Sequence, residues 1–417
     1  MAGGEEEVQV VESCFLTPAG DTPSKALRLS PLNLMLVHEG YTRLVHFYHC
    51  RSGDQTATGD FFDVSRLKTA LSKALVPFYP LAGRFKEGGD GRLEIDCNRK
   101  GMLFLMAHSR LTDSHRQRKG GCLFPASTAQ PASCAPLRHI LHKKLVPQIH
   151  ICRDGDRALV NLPCHDRSCL YARDPPAIHL DALSVFCPKM ILSETSVVNK
   201  LEVFTLHKHH LSTLKHMCGG VGVSTFGVLS AHAWQCMSLA RRLAPDSTKC
   251  LTFMANVRSR MTPPLLDSYF GNTIIDISVA EEAQSITSGD LAYVPRRIKD
   301  TISQVDDELV HSAVDHVELA LAERDNLPTG GATCNLPVSD IRVVNWLGLP
   351  LYDLDFGRGK PLAMLRAESS RGGLVHLMNS TKGDDSVHLV IYTETAILKE
   401  FKRLFYAKFD GMLHSKF

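Results

Sequence analysis

The run His150-Ile151-Cys152-Arg153-Asp154-Gly155 places an imidazole four residues ahead of a carboxylate and ends on a glycine. Histidine titrates near neutrality, so such a ring can take the proton of an alcohol or amine as its oxygen or nitrogen attacks a carbonyl. The same spacing recurs at His311-Ser312-Ala313-Val314-Asp315, without the glycine. With 20 histidines in the chain, about one His-x-x-x-Asp is expected by chance, so spacing alone does not choose between the two. His311 and Asp315 fall in a helical pattern, where neighbours at i and i+4 form an ordinary surface pair. His150 reads either as a working base or as a solvent-facing loop histidine.

The elements that must position these groups are legible in part. Val64, Leu67, Leu71 and Leu75 repeat at helical spacing behind Asp63, which has the right type for an N-cap. The helix must end in residues 75–84, LVPFYPLAGR, because proline cannot continue it, and residues 92–97 then alternate like a half-buried strand. Leu206, Leu211, Leu214 and Met217 predict a helix that stops at Gly219 and Gly220, and Phe226, Leu229, Ala233 and Trp234 predict another. Residues 300–321 read as one long helix, 374–379 and 387–392 as strands, and 395–405 as a further helix. Between His115 and Pro147 neither period holds, and the stretch is basic, small and proline-rich, the pattern of a long loop or an unpacked insert.

Bulk properties narrow the classes. A chain of 417 residues exceeds one ordinary core and predicts two domains. With 44% hydrophobic and 22% charged residues it has the composition of a soluble globular protein. A net charge of +3, with no basic run interleaved with aromatics, argues against nucleic-acid binding. No apolar stretch reaches the roughly 18 residues of a membrane span, and the acidic start MAGGEEEVQV is unlike a signal peptide, so a cytoplasmic protein is expected. Thirteen cysteines without a repeating framework suggest free thiols. Cys122, Cys134, Cys152, Cys164, Cys169 and Cys187 crowd near His139, His142, His150 and His165, but no paired C-x-x-C motif occurs, so no metal site is assigned.

Three motifs in order, LVPFYPLAGR at 75–84, YFGN at 269–272 and LDFGRGKP at 354–361, resemble the plant BAHD acyltransferase family, near its hydroxycinnamoyltransferase branch. DRSCLYARDPP at 166–176 is similar to a further segment of that branch. The resemblance implies an α/β fold of two similar-sized mixed-sheet domains, chloramphenicol acetyltransferase-like, divided as 1–188 and 189–417, with the site in a channel between them. It implies a catalytic set of His150 as base, Asp154 turned away to hold the backbone, and Asp355. Gly155, Arg258, Gly357 and Gly359 would support the site, with Arg258 the partner of Asp154. The family's Asp-Phe-Gly-Trp-Gly loop has Arg358 in place of tryptophan here, which exchanges an apolar anchor for a charge. Trp346 and Gly348 would line the acceptor pocket. Members acting on shikimate or quinate carry arginine where Gly348 stands, a bidentate partner for a carboxylate that glycine cannot supply.

The implied activity is transfer of a hydroxycinnamoyl group (coumaroyl, caffeoyl or feruloyl) from its CoA thioester, as co-substrate, to an amine such as spermidine. No metal or permanently bound cofactor is implied, the partners are small molecules, and a monomer is expected. O-transfer to shikimate, quinate or another alcohol is the alternative within the class, and an inactive relative the alternative outside it. The second alternative arises at 108–166, where only 15 residues separate His150 from Asp166 and the family has roughly twice as many. Either a piece is missing and the junction recreates the motif, or the segment derives from a shifted frame.

Overall fold

In the computed structural model the residues described are 8–37, 44–48, 63–109, 162–179, 182–187, 190–192, 199–220, 222–288, 290–322, 334–336, 339–356, 359–366, 372–380 and 383–410. The chain packs into two compact units, both of mixed α/β character. One comprises Met1–Tyr171, Leu266–Asn272 and Leu349–Glu368; the other comprises Ala172–Leu265, Thr273–Gly348 and Ser369–Phe417. Packing therefore divides the chain differently from the linear cut at 188. Residues 172–187 join the second unit because Arg173 is held by Asp315 and Cys187 N–H donates to the Asp276 carbonyl at 2.9 Å.

In the first unit the helix Val64–Ala74 begins as its sequence predicts, with Asp63 Oδ1 accepting from Arg66 N–H at 2.9 Å. A short 3-10 turn, Tyr79–Ala82, then leads into the strand Arg84–Glu87, which pairs antiparallel with Leu93–Asp96. Gly83 sits where the two pass closest: a Cβ there would lie 2.6 Å from the Asp96 carbonyl oxygen, so no other residue fits without moving backbone. Leu29, Ile95 and Cys97 form the local core. Val8–Leu16 pairs antiparallel with Met102–Ser109, and Leu44–Phe47 pairs antiparallel with Ala363–Arg366, a strand that returns from far along the chain.

The second unit is built on six strands in the order Ile274–Glu282, Thr248–Asn256, Ile341–Asn345, Leu374–Asn379, Val387–Glu394 and Asn199–Leu206. The two pairings of Ile341–Asn345 are parallel and the other three are antiparallel. Strands buried on both faces need continuous apolar runs, and Val375, Leu377, Leu389 and Ile391 are buried on one face while Leu374, Met378, Val390 and Tyr392 are buried on the other. The helix Thr225–Ala240 is apolar almost all round, as a helix enclosed by neighbours must be, and Ser224 caps it by accepting from Gly227 N–H at 3.0 Å. The helix Thr395–Asp410 packs beside it, where Phe204 meets Phe401 and Phe405 at centroid distances of 5.2 and 4.8 Å.

Two expectations change. Leu206 ends a strand, and the following helix is Lys208–Met217, closed by Gly220 N–H donating to the Lys215 carbonyl at 2.8 Å. The single helix expected over 300–321 is two, Tyr293–Ser303 and Asp307–Ala322. The break is chemical: Asp306 Oδ1 accepts from Leu309 N–H at 2.9 Å, so an aspartate inside an apparent helical pattern acts as the cap of a new helix.

His232, on Thr225–Ala240, is 3% exposed with its Nε2 2.9 Å from the Phe405 carbonyl oxygen. Burial, reinforced by the Lys408 ammonium, pushes its pKa down from 6.5 to about 4. Below pH 6.5 the unfolded chain binds a proton that the folded chain refuses, so stability present at neutral pH is lost as pH falls toward 4. At about 1.4 kcal/mol per unit, the loss from this group reaches roughly 3 kcal/mol. Urea unfolding of wild type and His232→Leu at pH 7 and pH 4.5 checks this. The variant should lose distinctly less stability between the two pH values, and equal losses would remove His232 as the cause.

Candidate active site

In the first unit three of the sequence motifs meet. Phe78 of LVPFYPLAGR packs on Phe270 of YFGN with ring centroids 5.1 Å apart. His165 touches both motifs, its ring 4.7 Å from Tyr79 and 5.4 Å from Phe270, with Nε2 2.9 Å from the Pro77 carbonyl oxygen. A carbonyl only accepts, so Nε2 carries the proton, and burial holds the ring's pKa below the usual histidine value. Arg167, 2% exposed, donates at 3.3 Å to Asn33 Oδ1, the His165 carbonyl and the Phe270 carbonyl. These motifs serve as mutual anchors of one core. Their residue types follow from that packing, which the sequence could signal only through the prolines and the glycine.

The loop carrying Asp355 also belongs to this unit. Asp355 Oδ1 accepts from Gly359 N–H at 3.0 Å and so closes the turn between them; Gly357 and Arg358 lie outside the described residues. Residues at the end of the strand Leu44–Phe47 fasten the approach to that loop. Tyr48 Oη donates to the Leu354 carbonyl at 2.8 Å, its ring lies 5.9 Å from Phe356, and His46 Nε2 is 3.2 Å from the Leu351 carbonyl oxygen. Burial, with the Asp355 carboxylate adding to it, pushes the Tyr48 phenol up to about 12, so it stays a hydrogen-bond donor at any working pH. Sequence reasoning missed Tyr48 and His46, because nothing in residues 44–48 signals a partner more than 300 positions away. Asp353 is paired with Lys360 at 2.8 Å.

In the second unit Trp346 is 6% exposed, its backbone N–H donates to the Leu377 carbonyl at 2.9 Å, and its ring lies 4.7 Å from His376. Gly348 follows on an exposed turn with φ of 72°, a left-handed conformation that strains any side chain. Arg258 is half-buried in the turn after Thr248–Asn256, with its N–H donating to Asn256 Oδ1 at 3.1 Å. Its expected partner Asp154, together with His150 and Gly155, lies outside the described residues. Trp346 and Gly348 thus share one turn, and Asp355 and Gly359 share another.

The second His-x-x-x-Asp is resolved. His311 Nε2 lies 3.6 Å from Asp307 Oδ1, one turn back on the helix. Asp315, fully buried, accepts from the backbone N–H groups of Arg173 and Ala177 at 2.8 and 2.9 Å and from Arg173 Nε at 2.6 Å. Its carboxylate is saturated by this clamp, so the pair does structural work. Among the described residues no cluster of three or more His, Cys, Asp or Glu could hold a metal ion, and no helix is long and apolar enough to cross a membrane.

Comparison with known proteins fits this geometry. The chain matches the Transferase family over residues 6–115 and again over 149–408. Putrescine hydroxycinnamoyltransferase 1 of Oryza sativa subsp. japonica is 33% identical over 449 residues, covering 96% of this chain and 98% of the relative. Shikimate O-hydroxycinnamoyltransferase of Nicotiana tabacum is 30% identical over 441 residues, covering 96% and 99%. Among solved structures, F. graminearum TRI101 complexed with coenzyme A and deoxynivalenol superposes with a TM-score of 0.71 at 15% identity, covering 91% of this chain and 97% of the other. That likeness extends the agreement to the fold. Motifs, mixed α/β architecture and a family match over most of the chain converge, and the chain belongs to the Transferase family of BAHD acyltransferases.

Proposed function

We propose that the chain transfers a hydroxycinnamoyl group from its CoA thioester to an amine, a polyamine such as spermidine or putrescine, with His150 as the base. The amine nitrogen attacks the thioester carbonyl, His150 takes its proton, the C–S bond breaks, and the proton passes to the departing CoA thiolate. On this reading Asp154 and Arg258 serve to hold the base in place, and Asp355, Gly357 and Gly359 serve to support it. A CoA thioester serves as co-substrate, the chemistry needs no metal or resident cofactor, and the enzyme acts as a cytosolic monomer.

The observation that carries this reading is that the family match resumes at residue 149, immediately ahead of His150. The amine acceptor is supported by the rice relative named for putrescine and by the left-handed backbone at Gly348, a position where an arginine able to bind an acceptor carboxylate would be strained. A second reading, a relative without turnover, is favoured by the unmatched residues 116–148. The deciding experiment is CoA-thiol release from p-coumaroyl-CoA with spermidine, putrescine, agmatine, tryptamine or shikimate. Release with the amines and little with shikimate is expected. Release with shikimate alone would establish O-transfer, and no release from folded protein would favour the inactive relative.

A further inference from the structure

A narrow cleft in the second unit lies among the helices Lys208–Met217, Thr225–Ala240, Tyr293–Ser303 and Thr395–Asp410, with Cys218, His232, Gln235, Asp290 and Lys408 on its walls. It encloses about 310 Å³ of atom-free space, its open mouth included. It has room for about one water molecule. None of these residues belongs to the site described above.

Lys408 is the unusual member. Its Nζ donates to Gln235 Oε1, whose amide nitrogen donates in turn to the Ser288 carbonyl at 3.1 Å, so the acceptor is fixed in place. No carboxylate among the described residues pairs with it. Asp290, on the same wall, is taken by Arg296 at 2.8 Å and by Ala292 N–H at 2.9 Å. The surface lysines differ: Lys208 is paired with Asp385 at 2.9 Å, Lys360 with Asp353 at 2.8 Å and Lys402 with Glu202 at 2.7 Å.

We propose that Lys408 is a self-acylation site, a half-buried amine held at the cleft wall that takes a small acyl group from a CoA thioester. The proposal rests on the functional reading above only for the supply of thioester. The Nζ lone pair attacks the thioester carbonyl, the C–S bond breaks, and the proton lost by nitrogen goes to the CoA thiolate, leaving an amide and free CoA thiol. The amide retains one N–H, which continues to donate to Gln235 Oε1. Burial favours the reaction twice. It holds the ammonium's pKa below the usual lysine value, which raises the share of nucleophilic amine, whereas the three surface lysines are held above theirs by their carboxylates. The amide product also removes an unpaired charge from a partly desolvated position.

The test is incubation of the purified chain with acetyl-CoA at pH 7.5, with acetylated peptides quantified by mass spectrometry over time. Lys208, Lys360 and Lys402 are the internal comparators. Lys408 should acetylate severalfold faster than these. p-Coumaroyl-CoA should label it far more slowly than acetyl-CoA, because a cleft with room for about one water molecule is too small for an aromatic acyl chain. Acetylation of Lys408 no faster than of the three comparators would overturn the proposal. His150→Ala separates it from the transferase reading: turnover should fall in that variant while the label at Lys408 is unchanged, so wild-type turnover would count against the transferase reading alone, and labelling of Lys408 no faster than of the comparators would count against this proposal alone.

Discussion

Asp315→Ala should destabilise the protein by about 3–5 kcal/mol, a large share of the roughly 5–15 kcal/mol that a domain possesses. The carboxylate is fully buried and takes three donors, two of them backbone N–H groups at 2.8 and 2.9 Å. Alanine leaves those donors without an acceptor in a place that water does not reach, which is the costly way to break a hydrogen bond. The Arg173 guanidinium softens the loss a little, since its side chain keeps 31% of its exposure and also binds Glu308 at 3.1 Å. Urea unfolding measures the change, with Asp315→Asn as a shape-conserving control expected to lose less. A loss under about 1 kcal/mol would mean that residues 172–179 find other partners and that the clamp is dispensable.

His150→Ala should behave in the opposite way. The proposed role is removal of one proton in the transition state, a contribution of about 10²–10⁴ in rate. The turnover number with p-coumaroyl-CoA and spermidine should fall by that factor while the urea midpoint stays where it is. A variant that turns over at the wild-type rate would return His150 to the surface-loop reading. The two His-x-x-x-Asp runs therefore separate cleanly, one lost to unfolding and the other to chemistry.

Much of the architecture was legible because local chemistry decided it. Asp63 reads as a cap and is one; the glycines at 219 and 220 read as a stop and close a helix there. The strands at 374–379 and 387–392 follow from apolar runs that a sheet buried on both faces requires. The failures share a cause. Asp306 looks like one more polar residue on a helical face until its side chain is seen accepting from Leu309 N–H at 2.9 Å. Asp315 looks like an i+4 surface partner until the Arg173 to Ala177 segment, far away in sequence, is folded against it. Tyr48 gives no signal because its acceptor, the Leu354 carbonyl, lies 306 positions along the chain. Of the candidate site, residues 355–359 and 346–348 fold as local turns, while the residues that brace the former are non-local and invisible to pattern.

The strand Leu44–Phe47 finds its antiparallel neighbour only at Ala363–Arg366, and two late stretches complete the unit that begins at the N-terminus. During synthesis the ribosome therefore releases the first 171 residues with an open strand edge and no Phe270 to cover Phe78. Such an edge is a template for pairing with other chains, and it waits through nearly the whole of translation. Expression of this protein should be limited less by the stability of its finished form than by the time its N-terminal unit spends incomplete.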